Sequence, residues 1–166
     1  MRRFLHRRLF SSERRSSAEQ AKFESTLRSM FDEWITFNAT LGLRVVSLRP
    51  PVARLPFRKE LVGHYGHNRL HGGAISATLD SLGGFALMVA LSEKFAQEST
   101  NQILQRFSRM GTIDLRVDFL RQAKGEYFLA SAEVTRLGGR VGSTQMRLED
   151  DQGTLVATGA AAYVVS

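Results

Sequence analysis

Between His71 and Glu93 the chain is apolar or small at nearly every position, and Asp80 is its only ionisable side chain. A run with no polar stripe predicts a helix buried on every side. A different period governs residues 113–119. Ile113, Leu115, Val117 and Phe119 alternate with Asp114, Arg116 and Asp118, which predicts a half-buried strand. Further strands are expected over 43–49, stopped by Pro50-Pro51, and over 52–57, 125–135, 140–149 and 154–165. Turns at Gly138-Gly139 and Asp150-Asp151-Gln152-Gly153 separate the last three.

Ahead of the strands, Phe23, Leu27, Met30, Phe31 and Trp34 recur at three and four residues. They predict a helix over 17–38, with Ser17 as its cap and Gln20 completing a capping box. Residues 58–70 are rich in glycine, histidine and asparagine and read as a loop. Residues 92–110 turn polar and read as a helical extension followed by a mobile connection. One long buried helix with five or six antiparallel strands implies an α+β fold, a curved sheet wrapped around the helix.

Composition narrows this picture. A length of 166 residues suits one domain plus an extension. The long apolar run carries Asp80 and four glycines, so it reads as a core helix and not a membrane span. The absence of cysteine excludes disulfides, thiolate zinc sites and a cysteine nucleophile. A net charge of +7 resembles a nucleic-acid signal, but residues 1–15 hold six arginines against one glutamate. That leaves +2 for the other 151 residues, and nucleic-acid binding is not expected. The Arg- and Ser-rich start, with Phe4, Leu5, Leu9 and Phe10 able to share a helical face, has the composition of a mitochondrial transit peptide removed around Phe10 to Ser12. A disordered basic tail is the alternative. The expected divisions are 1–16 for this leader or tail, 17–40 for the N-terminal helix and 41–166 for the main domain.

Candidate chemistry centres on the long helix. A lone carboxylate among apolar residues is costly to bury unless it is paired or in use. Gly72 and Gly73 bare the backbone where the helix begins, and the first N–H groups there have no partner inside the helix. With the helix dipole behind them, they can hold a developing negative charge. Gly83 and Gly84 are assigned to packing, and the Asp114, Arg116 and Asp118 face to a solvated or interface-pairing surface. His64, His67 and His71 lie close together, but on a loop without a cysteine or acid ligand beside them, so no metal site is expected.

Arg69-Leu70-His71-Gly72-Gly73 followed by Asp80, and then Gly111-Thr112-Ile113-Asp114-Leu115-Arg116-Val117-Asp118-Phe119-Leu120, resemble the hotdog-fold acyl-CoA thioesterases. The chain is most similar to their phenylacetate-pathway-type branch, over roughly residues 41–165. The resemblance implies a hotdog fold with two subunits joined sheet edge to sheet edge and active sites at the dimer interface. It implies that the Gly72 N–H polarises the thioester carbonyl, assisted by Gly73, and that Asp80 is the general base or, less often, the nucleophile. Thr112 falls where this branch places a residue that helps hold the attacking water, and Arg140 in a region used to hold coenzyme A. Many relatives carry asparagine or glutamine seven residues before the first glycine of the motif, where this chain has Tyr65. That leaves Tyr65, His64, His67 and Asn68 as the possible polar partners near the carbonyl. His71 reads first as a hydrogen-bonding residue at this substrate end of the helix.

Spacing adds an independent constraint. Eight residues separate Gly72 from Asp80, a rise of about 12 Å in a helix. One thioester cannot touch both groups of the same helix, so the two must meet across a subunit boundary if both serve one site. The expected protein is therefore a homodimeric or dimer-of-dimers thioesterase acting on a medium or long acyl-CoA, without cofactor. It is placed in the mitochondrial matrix if the leader reading holds and otherwise in the cytoplasm. The rivals are a hotdog hydratase or dehydratase and a non-catalytic acyl-CoA-binding subunit.

Overall fold

The structure, a computed structural model, describes residues 14–166. The leader motif around Phe10 to Ser12 lies outside the described residues.

The body of the protein already includes Arg15. Its guanidinium donates to the carbonyls of Ser92, Phe95 and Glu98, satisfying acceptors at the end of the long helix. Ser16, one residue before the expected cap, accepts from the Glu19 N–H and starts α1 (Ser17–Ser29). Either serine could have served. The one that caps is the one still extended, with ψ at 158°.

The helix predicted over 17–38 is not continuous. Its stripe continues through Phe23, Leu27 and Phe31, but Met30–Trp34 forms a π-helical turn, and α2 (Thr36–Leu41) resumes only after Ile35, which is not helical at ψ 89°. The Ile35 N–H donates to Met30 O, one residue further back than in an α-helix. Gly42, at φ 77°, ends α2 in the left-handed region that glycine tolerates.

Two strands follow, β1 (Arg44–Leu48) and β2 (Pro51–Pro56). The predicted loop then holds a short 3-10 turn and a small ribbon of β3 (Val62–His64) and β4 (Arg69–Leu70). It leads into α3 (Gly72–Lys94). The polar stretch after it contains a helix that the apolar pattern was too sparse to announce, α4 (Thr100–Phe107). Ser99 and Gln102 close a capping box on it. Glu19 of α1 accepts from the Thr100 N–H and hydroxyl, and these hydrogen bonds hold its carboxyl below the usual range.

The remaining strands, β5 (Gly111–Phe119), β6 (Tyr127–Leu137), β7 (Val141–Asp150) and β8 (Leu155–Val164), join the first pair in one antiparallel sheet ordered β1-β2-β6-β7-β8-β5. Its inner face carries several small side chains, Ala130, Ala132, Ala157 and Ala161, beside Met146 and Leu148. Small side chains there let α3 lie close against it. A helix this long and apolar meets the length and composition of a membrane span. Here Leu79, Leu82, Phe85 and Leu87 are instead wholly inside the sheet's curve.

The expectation that α3 is buried on every side needs correction. Ala77, Asp80, Ser81, Gly84 and Met88, spaced at three and four, form a half-buried stripe. Of the sheet, this stripe meets the Gly111-Thr112 end of β5 and Tyr163 of β8, with Phe31 and Ile35 opposite. Asp80 sits in its middle.

Candidate active site

Asp80 is held from both ends of its residue. The Thr112 hydroxyl donates to its carboxylate at 2.8 Å. Tyr163, directly opposite Thr112 in the pairing of β5 with β8, donates its phenol to the Asp80 main-chain carbonyl at 2.9 Å. Burial, and then the negative charge of Asp80, raises the Tyr163 phenol above its ordinary value, so it stays a donor. This contact requires the glycine beside it. A β-carbon on Gly83 would overlap the Tyr163 hydroxyl and fall 2.8 Å from Thr144 Oγ1. The packing role expected of Gly83 is therefore borne out. Gly84 does more than pack, since it also faces the groove at Asp80.

At the other end of the stripe's helix, His71 is the N-cap, and its Nδ1 accepts from the Gly73 N–H at 2.8 Å. That bond explains why histidine precedes the glycine pair, because a β-carbon on Gly73 would fall 2.8 Å from the same nitrogen. The assisting donor role expected of Gly73 is thereby weakened, since its N–H is engaged. Among the described residues the Gly72 N–H has no acceptor. It opens on a cleft of about 320 Å³ lined by Arg69, Arg121, Gln122 and Phe119. The Phe119 ring lies 3.3 Å from where a Gly72 β-carbon would sit.

Of the loop candidates His64 lines the Gly72 cleft, and Tyr65, His67 and Asn68 do not. Tyr65 is 98% exposed and stacks on the His64 ring, which also stacks on His67 at 4.6 Å. Asn68 takes the left-handed turn position at φ 48°, which asparagine tolerates and most residues do not. Arg140 lies in the turn between β6 and β7, where its carbonyl accepts from Val165 N. That is the sheet end shared by Tyr163 and Thr112, not the end at Gly72. Within one chain the cations beside Gly72 are Arg69 and Arg121.

Asp80 and Thr112 border a separate groove of about 150 Å³. A larger cleft, about 1080 Å³ between the far half of α3 and the sheet, includes none of Asp80, Thr112 and Gly72. Within one chain the acid and the free helix-tip donor therefore face different openings.

An antiparallel sheet rolled around a single long helix, with its reactive groups on that helix, is the hotdog architecture. A family model described as "Thioesterase superfamily" matches residues 67–157. The chain is 34% identical to the "Medium/long-chain acyl-CoA thioesterase YigI" of Escherichia coli (strain K12), over 90% of this chain and 96% of that one. A crystal structure from Shewanella oneidensis, described as related to the thioesterase superfamily, has 31% identity and a TM-score of 0.85, covering 91% of this chain and 100% of that one. A thioesterase family protein from Silicibacter pomeroyi has 25% identity and a TM-score of 0.65, over 86% and 96% of the two chains. The chain belongs to the thioesterase superfamily. These relatives are bacterial, which lends no support to an organelle address for residues 1–16.

Proposed function

We propose that this protein hydrolyses the thioester of a medium- or long-chain acyl-CoA at a site built from two copies of the chain. The observation that carries this reading is the pairing of Thr112 with Asp80 at one end of β5 while Phe119, at the other end, lies against Gly72. β5 is the last strand of the sheet, and Ile113 and Phe119 on it are each 56% exposed. An open edge of that kind is a template for another strand. Antiparallel pairing of β5 with the same strand of a second copy, centred between Leu115 and Arg116, sets Thr112 of one opposite Phe119 of the other. Such an interface is isologous, so it forms two equivalent sites. In each, the acid of one copy meets the helix tip of its partner.

The chemistry then needs little else. The Gly72 N–H donates to the thioester oxygen and stabilises the charge that grows on it. Asp80 takes a proton from a water held by Thr112 as the water oxygen bonds to the carbonyl carbon. Collapse of the tetrahedral intermediate breaks the C–S bond, and the proton on Asp80 passes to the departing sulfur. The products are the free acid and coenzyme A. Arg69 and Arg121 stand at the Gly72 mouth, where the phosphates of coenzyme A would enter. The hydroxyl of Thr112 on the acid supports placement in the phenylacetate-pathway-type branch. A hydratase reading gains no support within one chain, where among the described residues the side-chain partner of Asp80 is Thr112 and not a histidine.

Release of free thiol from a panel of acyl-CoAs tests the activity. Turnover of medium or long chains is expected, and binding without thiol release would leave the non-catalytic alternative. A finer check concerns Tyr163. Tyr163→Phe keeps the buried ring and loses one hydrogen bond to the Asp80 backbone. It is expected to lower kcat roughly five- to tenfold with KM little changed. A lower Tm with unchanged kcat would make the phenol purely structural.

A further inference from the structure

The groove at Asp80 is closed on one side by the N-terminal segment, not by the sheet. Phe31 and Ile35 face Met88 and Met110 across it, and Asp80 and Thr112 lie at its base. How that segment is fastened is informative. Because the π-helical turn sends the Ile35 N–H to Met30, the Phe31 carbonyl is left for another donor. Asn38, fully buried, supplies it: its amide donates to Phe31 O at 3.0 Å. The Asn38 carbonyl in turn accepts from the Ser81 hydroxyl at 2.8 Å. A buried amide with both ends satisfied thus bolts the turn to α3 one residue from the acid. The rings of Phe31 and Phe85, 4.7 Å apart, complete the seam.

The consequence falls on Ile35. It leaves helical geometry at ψ 89° and stands at the groove's open edge, 36% exposed. On either side of it in the chain, Trp34 and Phe37 are more than half exposed. Of these three Ile35 lines the groove, and an apolar wall beside a carboxylate suits an apolar occupant. Methionines at the opposite wall adapt to flexible apolar ligands.

We propose that the N-terminal segment is the roof of the acyl-chain site, and that Ile35 is the residue over which a long chain must pass. This rests on the thioesterase reading and adds to it the part of the molecule that sets chain length. The occupant is the acyl chain itself, because the groove is continuous with the carboxylate that activates water. A chain of few carbons ends within the groove. A long one continues past Ile35 towards Trp34 and Phe37.

The test compares palmitoyl-CoA with butyryl-CoA on the full chain carrying Ile35→Trp or Ile35→Ala, with thermal melts to verify folding. Ile35→Trp is expected to lower the palmitoyl-to-butyryl ratio of kcat/KM by about tenfold or more, and Ile35→Ala to raise it. Ser81→Ala, which frees the bolt from α3 and leaves Ile35 in place, is expected to flatten the chain-length profile. Wild-type turnover with ratios unmoved by both Ile35 variants, or with equal losses at every length, would overturn the roof alone. Failure of the wild-type chain to release coenzyme A from any substrate would overturn the activity itself, and the roof with it.

Discussion

Asp80→Asn is expected to lower kcat by about 10²–10⁴-fold while the protein keeps its fold and its KM. The substitution is nearly isosteric. An asparagine carbonyl still accepts the Thr112 hydroxyl that reaches the native carboxylate at 2.8 Å. Tyr163 donates to the main-chain carbonyl, which the substitution does not alter. What disappears is the ability to take a proton from water. Because the residue is half-buried and not wedged in the core, no large packing loss accompanies the change. Following thiol release under saturating and limiting acyl-CoA separates kcat from KM. Turnover near the wild-type value would remove Asp80 from the base role.

The second large effect is expected from Gly72→Pro measured against Gly72→Ala. Proline at the first position of a helix loses no helical hydrogen bond and has a suitable φ. The residue before it must be extended, and His71 already is, at φ −67° and ψ 137°. The proline variant therefore deletes the free N–H and little else. Both variants add a β-carbon that the exposed Phe119 ring must accommodate, at 3.3 Å. Alanine thus controls for the shared crowding. Loss of one oxyanion donor costs roughly 10²–10³-fold in kcat, so the proline variant is expected to fall that far below the alanine variant. Equal turnover in the two would assign the carbonyl contact to another donor.

These expectations rest on parts of the molecule that the sequence reveals to different degrees. The helix from Gly72 and the strand around Leu115 stand out because burial imposes an unmistakable period on them. The α+β class follows from those periods, and the family resemblance carried by the histidine-glycine-glycine motif adds the hotdog fold and the candidate chemistry. Other features leave no such trace. The π-helical turn at Met30–Trp34 keeps the same three- and four-residue spacing as the helix it interrupts, so Phe31 and Trp34 read as one continuous stripe. Asn38 reads as an ordinary polar residue near a helix end, yet it is fully buried between Phe31 and Ser81. Tyr163 lies more than eighty residues from Asp80, and only the registered pairing of β5 with β8 places its phenol on the helix. The engagement of Gly73 by His71 depends on which way an imidazole turns. The half-buried stripe along α3 depends on which elements pack against it.

The central claim is that each site draws its acid and its helix-tip donor from different copies of the chain. Mixing Asp80→Asn chains with Gly72→Pro chains under conditions that exchange subunits tests it most directly. A mixed dimer pairs the intact Asp80 of one chain with the intact Gly72 of the other at one of its two sites. An equal mixture is half mixed dimers, so activity should recover to about one quarter of the wild-type level. If the mixture remains as inactive as its two components although mixed dimers have formed, both groups act within a single chain and the shared site is wrong.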